Sequence, residues 1–188
     1  SIGFTQLTQS GCGPLAYLNE LNHRKNCNTV NEKVLTKITE TRFNNIILHA
    51  AWLHRDYPIN LDDLHVHLNP LISNIRSQTP SSKIIIVGAV PRWQRDPRFH
   101  EVSSENGEFL YSGSAFIMTD VNRILKQYSL ENGIAFIDPT EVYCPNYSAS
   151  GECILALKSI NSQNWLGVTT DYGHLSSGSS LLLANAVK

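Results

Sequence analysis

Two stretches of this chain are apolar at almost every position: Ile46-Ile47-Leu48-His49-Ala50-Ala51-Trp52, and Ile84-Ile85-Ile86-Val87-Gly88-Ala89-Val90, which Pro91 stops. A strand with one face in water alternates apolar and polar residues, so unbroken β-branched runs suit strands covered on both faces. The sequence between and around them carries helical periodicity. Val30, Val34, Leu35 and Ile38 recur at helical spacing from Asn28 to Thr41, and Leu61, Leu64, Leu68, Leu71, Ile72 and Ile75 do so from Asn60 to Arg76. A further helix is predicted from Ala115 to Glu131, stopped by Asn132-Gly133, and Ile134 to Ile137 follows as another buried strand into Asp138-Pro139. A short strand over Ile2 to Leu7 precedes them, and a helix from Leu175 to Val187 closes the chain. Strands and helices therefore alternate. This predicts an α/β fold with a parallel sheet and right-handed crossovers, its four strands beginning near Gly3, Asn45, Ile84 and Ile134. The stretch from Arg92 to Gly113 reads as irregular and polar, carrying Trp93, Phe99, Phe109 and Tyr111. Such a long connection is functional or mobile as a rule.

The 188 residues suit one domain, 1–188, with a sizeable core. Lys and Arg total 15 against 16 Asp and Glu, and no basic run exists to grip phosphates, which argues against nucleic acid as a partner. A neutral substrate such as a sugar fits this balance better. The longest apolar run is too short to span a membrane, so any export signal is expected outside this chain. Four cysteines, Cys12, Cys27, Cys144 and Cys153, lack the spacing of a zinc site. Three pairings are open to them, and buried free thiols are the alternative. Local spacing favours Cys12–Cys27 and Cys144–Cys153 disulfides and an oxidising compartment. No metal is predicted either: His65 and His67, two apart on a helix, point in different directions.

Near the C-terminus stands Asp171-Tyr172-Gly173-His174, followed by Leu175-Ser176. A carboxylate three residues from an imidazole, across a pair that permits a tight turn, can bind one ring nitrogen while the other faces a nucleophile. Ser176 or Ser177 is placed to cap the helix that follows. Ligands in open α/β sheets bind beyond the carboxyl ends of the strands. Gly11, Trp52, Pro91 and Asp138 fall just after predicted strands, so they share that edge.

Several segments carry a resemblance: Gln6 to Leu15, Ala50-Ala51-Trp52, Val87 to Pro91, Ile137-Asp138-Pro139, the Cys144/Cys153 pair, and Asp171 to Ser176. Together they resemble the SGNH (GDSL-like) hydrolase superfamily, most closely the periplasmic SGNH domain fused to membrane acyltransferase-3 proteins, which O-acetylate bacterial surface polysaccharides such as O-antigen. The resemblance implies a three-layer sandwich with flavodoxin-like strand order. It implies a Ser-His-Asp triad in which His174 is the base and Asp171 fixes its tautomer. Gly11 would lend a backbone N–H to the oxyanion hole. Trp52 stands where the superfamily has an asparagine, making that hole atypical. The family's first block, a central strand leading to the nucleophilic serine, has no counterpart here and is expected upstream of Ser1. Ser10, Ser112 and Ser114 lack the strand–turn–helix setting of a nucleophile. The implied activity is O-acetyl transfer. The acetyl group would come from a donor such as acetyl-CoA through an N-terminal membrane acyltransferase-3 domain of the same polypeptide, to a polysaccharide hydroxyl, with no bound cofactor. The implied location is the periplasmic face of a bacterial inner membrane. A carbohydrate esterase, or an inactive sugar-binding or spacer module, is the alternative.

Overall fold

The computed structural model describes residues 5, 7, 27–50, 52, 60–93, 99–113, 115–116, 119–159, 164–169 and 175–185. In chain order these form α1 (Cys27–Thr41), β1 (Asn45–His49), α2 (Leu61–Gln78), β2 (Lys83–Val87), β3 (Arg92–Trp93), β4 (Ser104–Asn106), β5 (Phe109–Ser112), β6 (Ala115–Phe116), α3 (Thr119–Glu131), β7 (Ala135–Ile137), α4 (Pro139–Tyr143), α5 (Tyr147–Ser150), β8 (Cys153–Lys158), β9 (Trp165–Gly167) and α6 (Ser177–Asn185). The chain divides into two compact units: residues 1–88 with 121–137, and residues 89–120 with 138–188.

The first unit holds the parallel sheet that the apolar runs predict. Its order is β1-β2-β7, with Ile46 beside Ile84 and Ile86 beside Phe136. Ile84 to Val87 are all buried, as a central strand requires. β1 departs from that expectation. Ile46 is buried, but Ile47 is 55% exposed and His49 shares its open side. Helix α2 begins on a capping box: Asn60 accepts from the Asp63 N–H, and Asp63 accepts from the Asn60 N–H. Its Leu64, Leu68, Ile72 and Ile75 are buried, three or four residues apart in the manner of one apolar face. At its far end Arg76 donates to the carbonyl of Asn132, 2.6 Å away, just beyond α3. Gly88 follows β2 and donates its N–H to the Ile137 carbonyl. A Cβ there would lie 2.7 Å from Asn122 Oδ1 and 3.0 Å from Phe136, so glycine lets α3 close on the sheet. The strand expected near Gly3 lies outside the described residues.

The second unit corrects the sequence reading. The stretch from Arg92 to Gly113 is not irregular, because β3, β4 and β5 all fall within it. β4-β5-β8-β9 form an antiparallel sheet in which Phe109 lies beside Leu157 and Lys158 beside Trp165. Ala115–Phe116 pairs with Arg92–Trp93, which delays the start of α3 to Thr119. These strands are two to six residues long, and pair across up to about fifty residues of chain, so no local periodicity announces them. Cys153 to Leu155 join Val90, Trp93, Tyr143, Cys144 and Val168 in one buried cluster. Cys144 and Cys153 are disulfide-bonded to each other, with α5 between them. Cys27 is also disulfide-bonded, to a partner outside the described residues.

Candidate functional site

The three described strands of the first unit run parallel, so His49, Val87 and Ile137 end them at one edge, in register. The Val87 carbonyl oxygen is the hub of that edge. It accepts from Trp52 Nε1 at 2.7 Å and from His49 Nδ1 at 3.3 Å. Trp52 is fully buried, and its single donor is directed at the sheet backbone. His49 is exposed, yet protein crowded around the ring disfavours the imidazolium and holds its pKa below the ordinary value. The bond to Val87 opposes that shift more weakly.

In the second unit, the described residues around the Asp171–His174 motif form a braced frame. Thr169 and Leu175 make an antiparallel bridge, and Ser176 donates its N–H to the Val168 carbonyl at 2.9 Å. Ser176 then caps α6, as its position in the sequence predicts, its Oγ accepting from the Ser179 N–H. Ser179 is completely buried. Its hydroxyl donates to the Val168 carbonyl at 2.6 Å and lies 2.9 Å from the Ser176 hydroxyl. From α4, the Tyr143 hydroxyl donates to the Ser179 carbonyl at 2.8 Å. Burial pushes the Tyr143 hydroxyl well above its ordinary pKa, keeping it a neutral donor. α4 is itself started by Asp138, whose carboxylate accepts from the Thr140 N–H, with Pro139 in the first helical turn.

Asp171, His174, Gly11 and Cys12 lie outside the described residues, so among the predicted oxyanion and triad residues only Trp52 has a described geometry. Sequence reasoning missed Tyr143, Ser179 and His49. A histidine closing an apolar strand was the one visible signal among them; the two hydroxyls carry none. His65 is occupied elsewhere, 3.1 Å from a Glu131 carboxylate oxygen and against the Tyr128 ring. Among the described residues no group of three or more His, Cys, Asp or Glu is placed to hold a metal ion, and no helix is long and apolar enough to cross a membrane.

A parallel sheet with helices α1, α2 and α3 between and beside its strands defines an α/β domain. The family described as SGNH domain (fused to AT3 domains) matches residues 1–188, and the chain belongs to it. Among solved structures, the periplasmic domain of the Salmonella ser. Paratyphi A lipopolysaccharide acetyltransferase is similar, with a TM-score of 0.64 at 18% identity. That match covers 85% of this chain and 60% of the other, so the chain spans well under two thirds of its length. At this identity the likeness establishes the fold. A possible lipase from Chitinophaga pinensis DSM 2588 aligns with a TM-score of 0.43 at 12% identity, over 76% of this chain and 69% of that one. No curated protein sequence matches.

Proposed function

We propose that this chain is the acyl-transferring domain of an enzyme that O-acetylates a bacterial surface polysaccharide such as O-antigen. It acts at the periplasmic face of the inner membrane. Membership of the SGNH family fused to AT3 domains carries this reading, since it pairs an esterase-type domain with a membrane acyltransferase. The fold shared with a lipopolysaccharide acetyltransferase domain supports it. An acetyl group from a donor such as acetyl-CoA reaches this domain through the membrane partner. It is carried on a serine that is not assigned among these 188 residues. His174 removes the serine proton on attack and gives it to the donor's leaving group; it then deprotonates the acceptor hydroxyl and returns that proton to the serine, while Asp171 holds the ring and stabilises its charged form. The Gly11 N–H meets the oxyanion, a contribution of about 3 kcal/mol where such donors are well aimed. The Trp52–Val87 bond and the Ser176–Ser179–Tyr143 chain brace the two parts of the scaffold.

The test follows acetyl groups. Full-length protein in host membranes, supplied with labelled acetyl-CoA, should label the polysaccharide in step with donor consumption. Label recovered wholly as free acetate would instead make the protein an esterase. Neither product would leave a binding or spacer module.

A further inference from the structure

His49 stands at the carboxyl end of β1, on the strand's exposed side. Its Nδ1 faces the Val87 carbonyl, which can only accept, so Nδ1 carries the proton. A neutral imidazole has one such proton, which leaves Nε2 a bare acceptor. Among the described residues nothing bonds it. The second donor on Val87, the Trp52 indole, fills the remaining acceptor position of that carbonyl and fixes the hub around which the ring is set. Parallel α/β sheets bind their ligands at this edge. A bare acceptor there suits a ligand that donates, such as a sugar hydroxyl, and rejects a carbonyl or phosphate oxygen.

We propose that His49 binds the acceptor, its Nε2 taking a hydrogen bond from a hydroxyl of the polysaccharide while Nδ1–H stays on Val87. This rests on the acyl-transfer reading above. Crowding by protein keeps the ring neutral and therefore able to accept.

Two amides separate the two bonds. His49→Asn places an N–H near the Nδ1 position and keeps the contact to Val87, but has nothing at Nε2. His49→Gln reaches the Nε2 position with an amide oxygen. The assay uses full-length protein, p-nitrophenyl acetate as donor, and de-O-acetylated polysaccharide released from the host's own lipopolysaccharide as acceptor. His49→Asn should raise the KM for polysaccharide roughly tenfold, the scale of one hydrogen bond, with kcat and p-nitrophenol release little changed. His49→Gln should restore most of the loss. A wild-type KM in His49→Asn, or an equal loss in both variants, overturns the proposal. In unsubstituted protein, the 15N resonance of His49 Nε2 should shift when the polysaccharide is added, and no shift overturns it without recourse to any variant. Wild-type protein that neither releases p-nitrophenol nor acetylates polysaccharide would reject the acyl-transfer reading itself, a distinct outcome.

Discussion

The Tyr143 hydroxyl donates to the carbonyl oxygen of Ser179 across 2.8 Å, both residues fully buried. This ties α4 to the first turn of α6, and Ser179 in turn holds Val168 and Ser176, which flank the Asp171–His174 motif in sequence. Ser179→Ala removes a buried donor with short bonds and should cost about 1–2 kcal/mol. Tyr143→Phe should cost about 1 kcal/mol, since it removes a single bond while keeping the ring. Chemical denaturation measures both. Activity should fall more steeply in Ser179→Ala, because that change loosens both flanks of the motif.

Gly88→Ala places a methyl group 2.7 Å from the buried Asn122 side chain. Asn122 is short and enclosed, with little room to retreat. Overpacking of this kind costs about 1–3 kcal/mol. A drop in melting temperature should follow, and pairing the change with Asn122→Ala should recover part of it. Additive losses in the double variant would show that the contact is not the cause.

Replacing Cys144 and Cys153 with alanine opens a loop closed by residues nine apart. Loop entropy puts the loss at about 2–3 kcal/mol. Reduction of the wild-type protein should match it, as read by melting with and without reductant. The bond also anchors the cluster of Val90, Trp93 and Val168, so the second unit should loosen first, visible as faster hydrogen exchange in β8.

How much of this was legible beforehand follows from the kinds of signal involved. Leu64, Leu68, Ile72 and Ile75 sit on one face of α2 because helical spacing writes their burial directly into the sequence. Ile84 to Ile86 fix β2 in the same way. The antiparallel sheet was not legible. Ser104 to Asn106 is polar and exposed throughout, and beyond that short hairpin β5 finds its second partner only in β8, whose Cys153 pairs with Ser112. At the site, Asp171 and His174 stood out as a motif, and Ser176 or Ser177 as a cap, of which Ser176 takes the role. Ser179 and Tyr143 did not, since what singles them out is a contact between helices distant in sequence. His49 was visible as a residue, but its tautomer depends on a carbonyl 38 positions away.

His49 should titrate below 6.5, because burial disfavours the imidazolium more than the Val87 bond favours it. Its folded pKa is therefore depressed relative to the unfolded chain. The unfolded state binds the extra proton first, so this part of the stability is whole above pH 6.5 and lost as pH falls through the folded value. An NMR titration of the imidazole protons measures the shift. His49→Gln should unfold less readily in acid than wild type when both are scaled to their stability at neutral pH.

His174→Ala should abolish acyl transfer while leaving the fold intact, because a serine without its base keeps an unperturbed and weakly nucleophilic hydroxyl. Asp171→Asn preserves shape but favours the wrong imidazole tautomer, at a cost on the order of 10⁴ in rate where such triads operate. The frame around the motif, from the Thr169–Leu175 bridge to the Ser176 cap, does not depend on either side chain. Melting temperatures of both variants should therefore stay within a few degrees of wild type, so lost activity cannot be blamed on unfolding. Acetylation of surface polysaccharide in cells producing each full-length variant reads the outcome, with protein level measured alongside. A mild effect in Asp171→Asn would mean that a backbone carbonyl orients the ring instead. Wild-type acetylation by His174→Ala would remove the triad, and with it the enzyme, leaving a domain that only binds the chain its partner modifies.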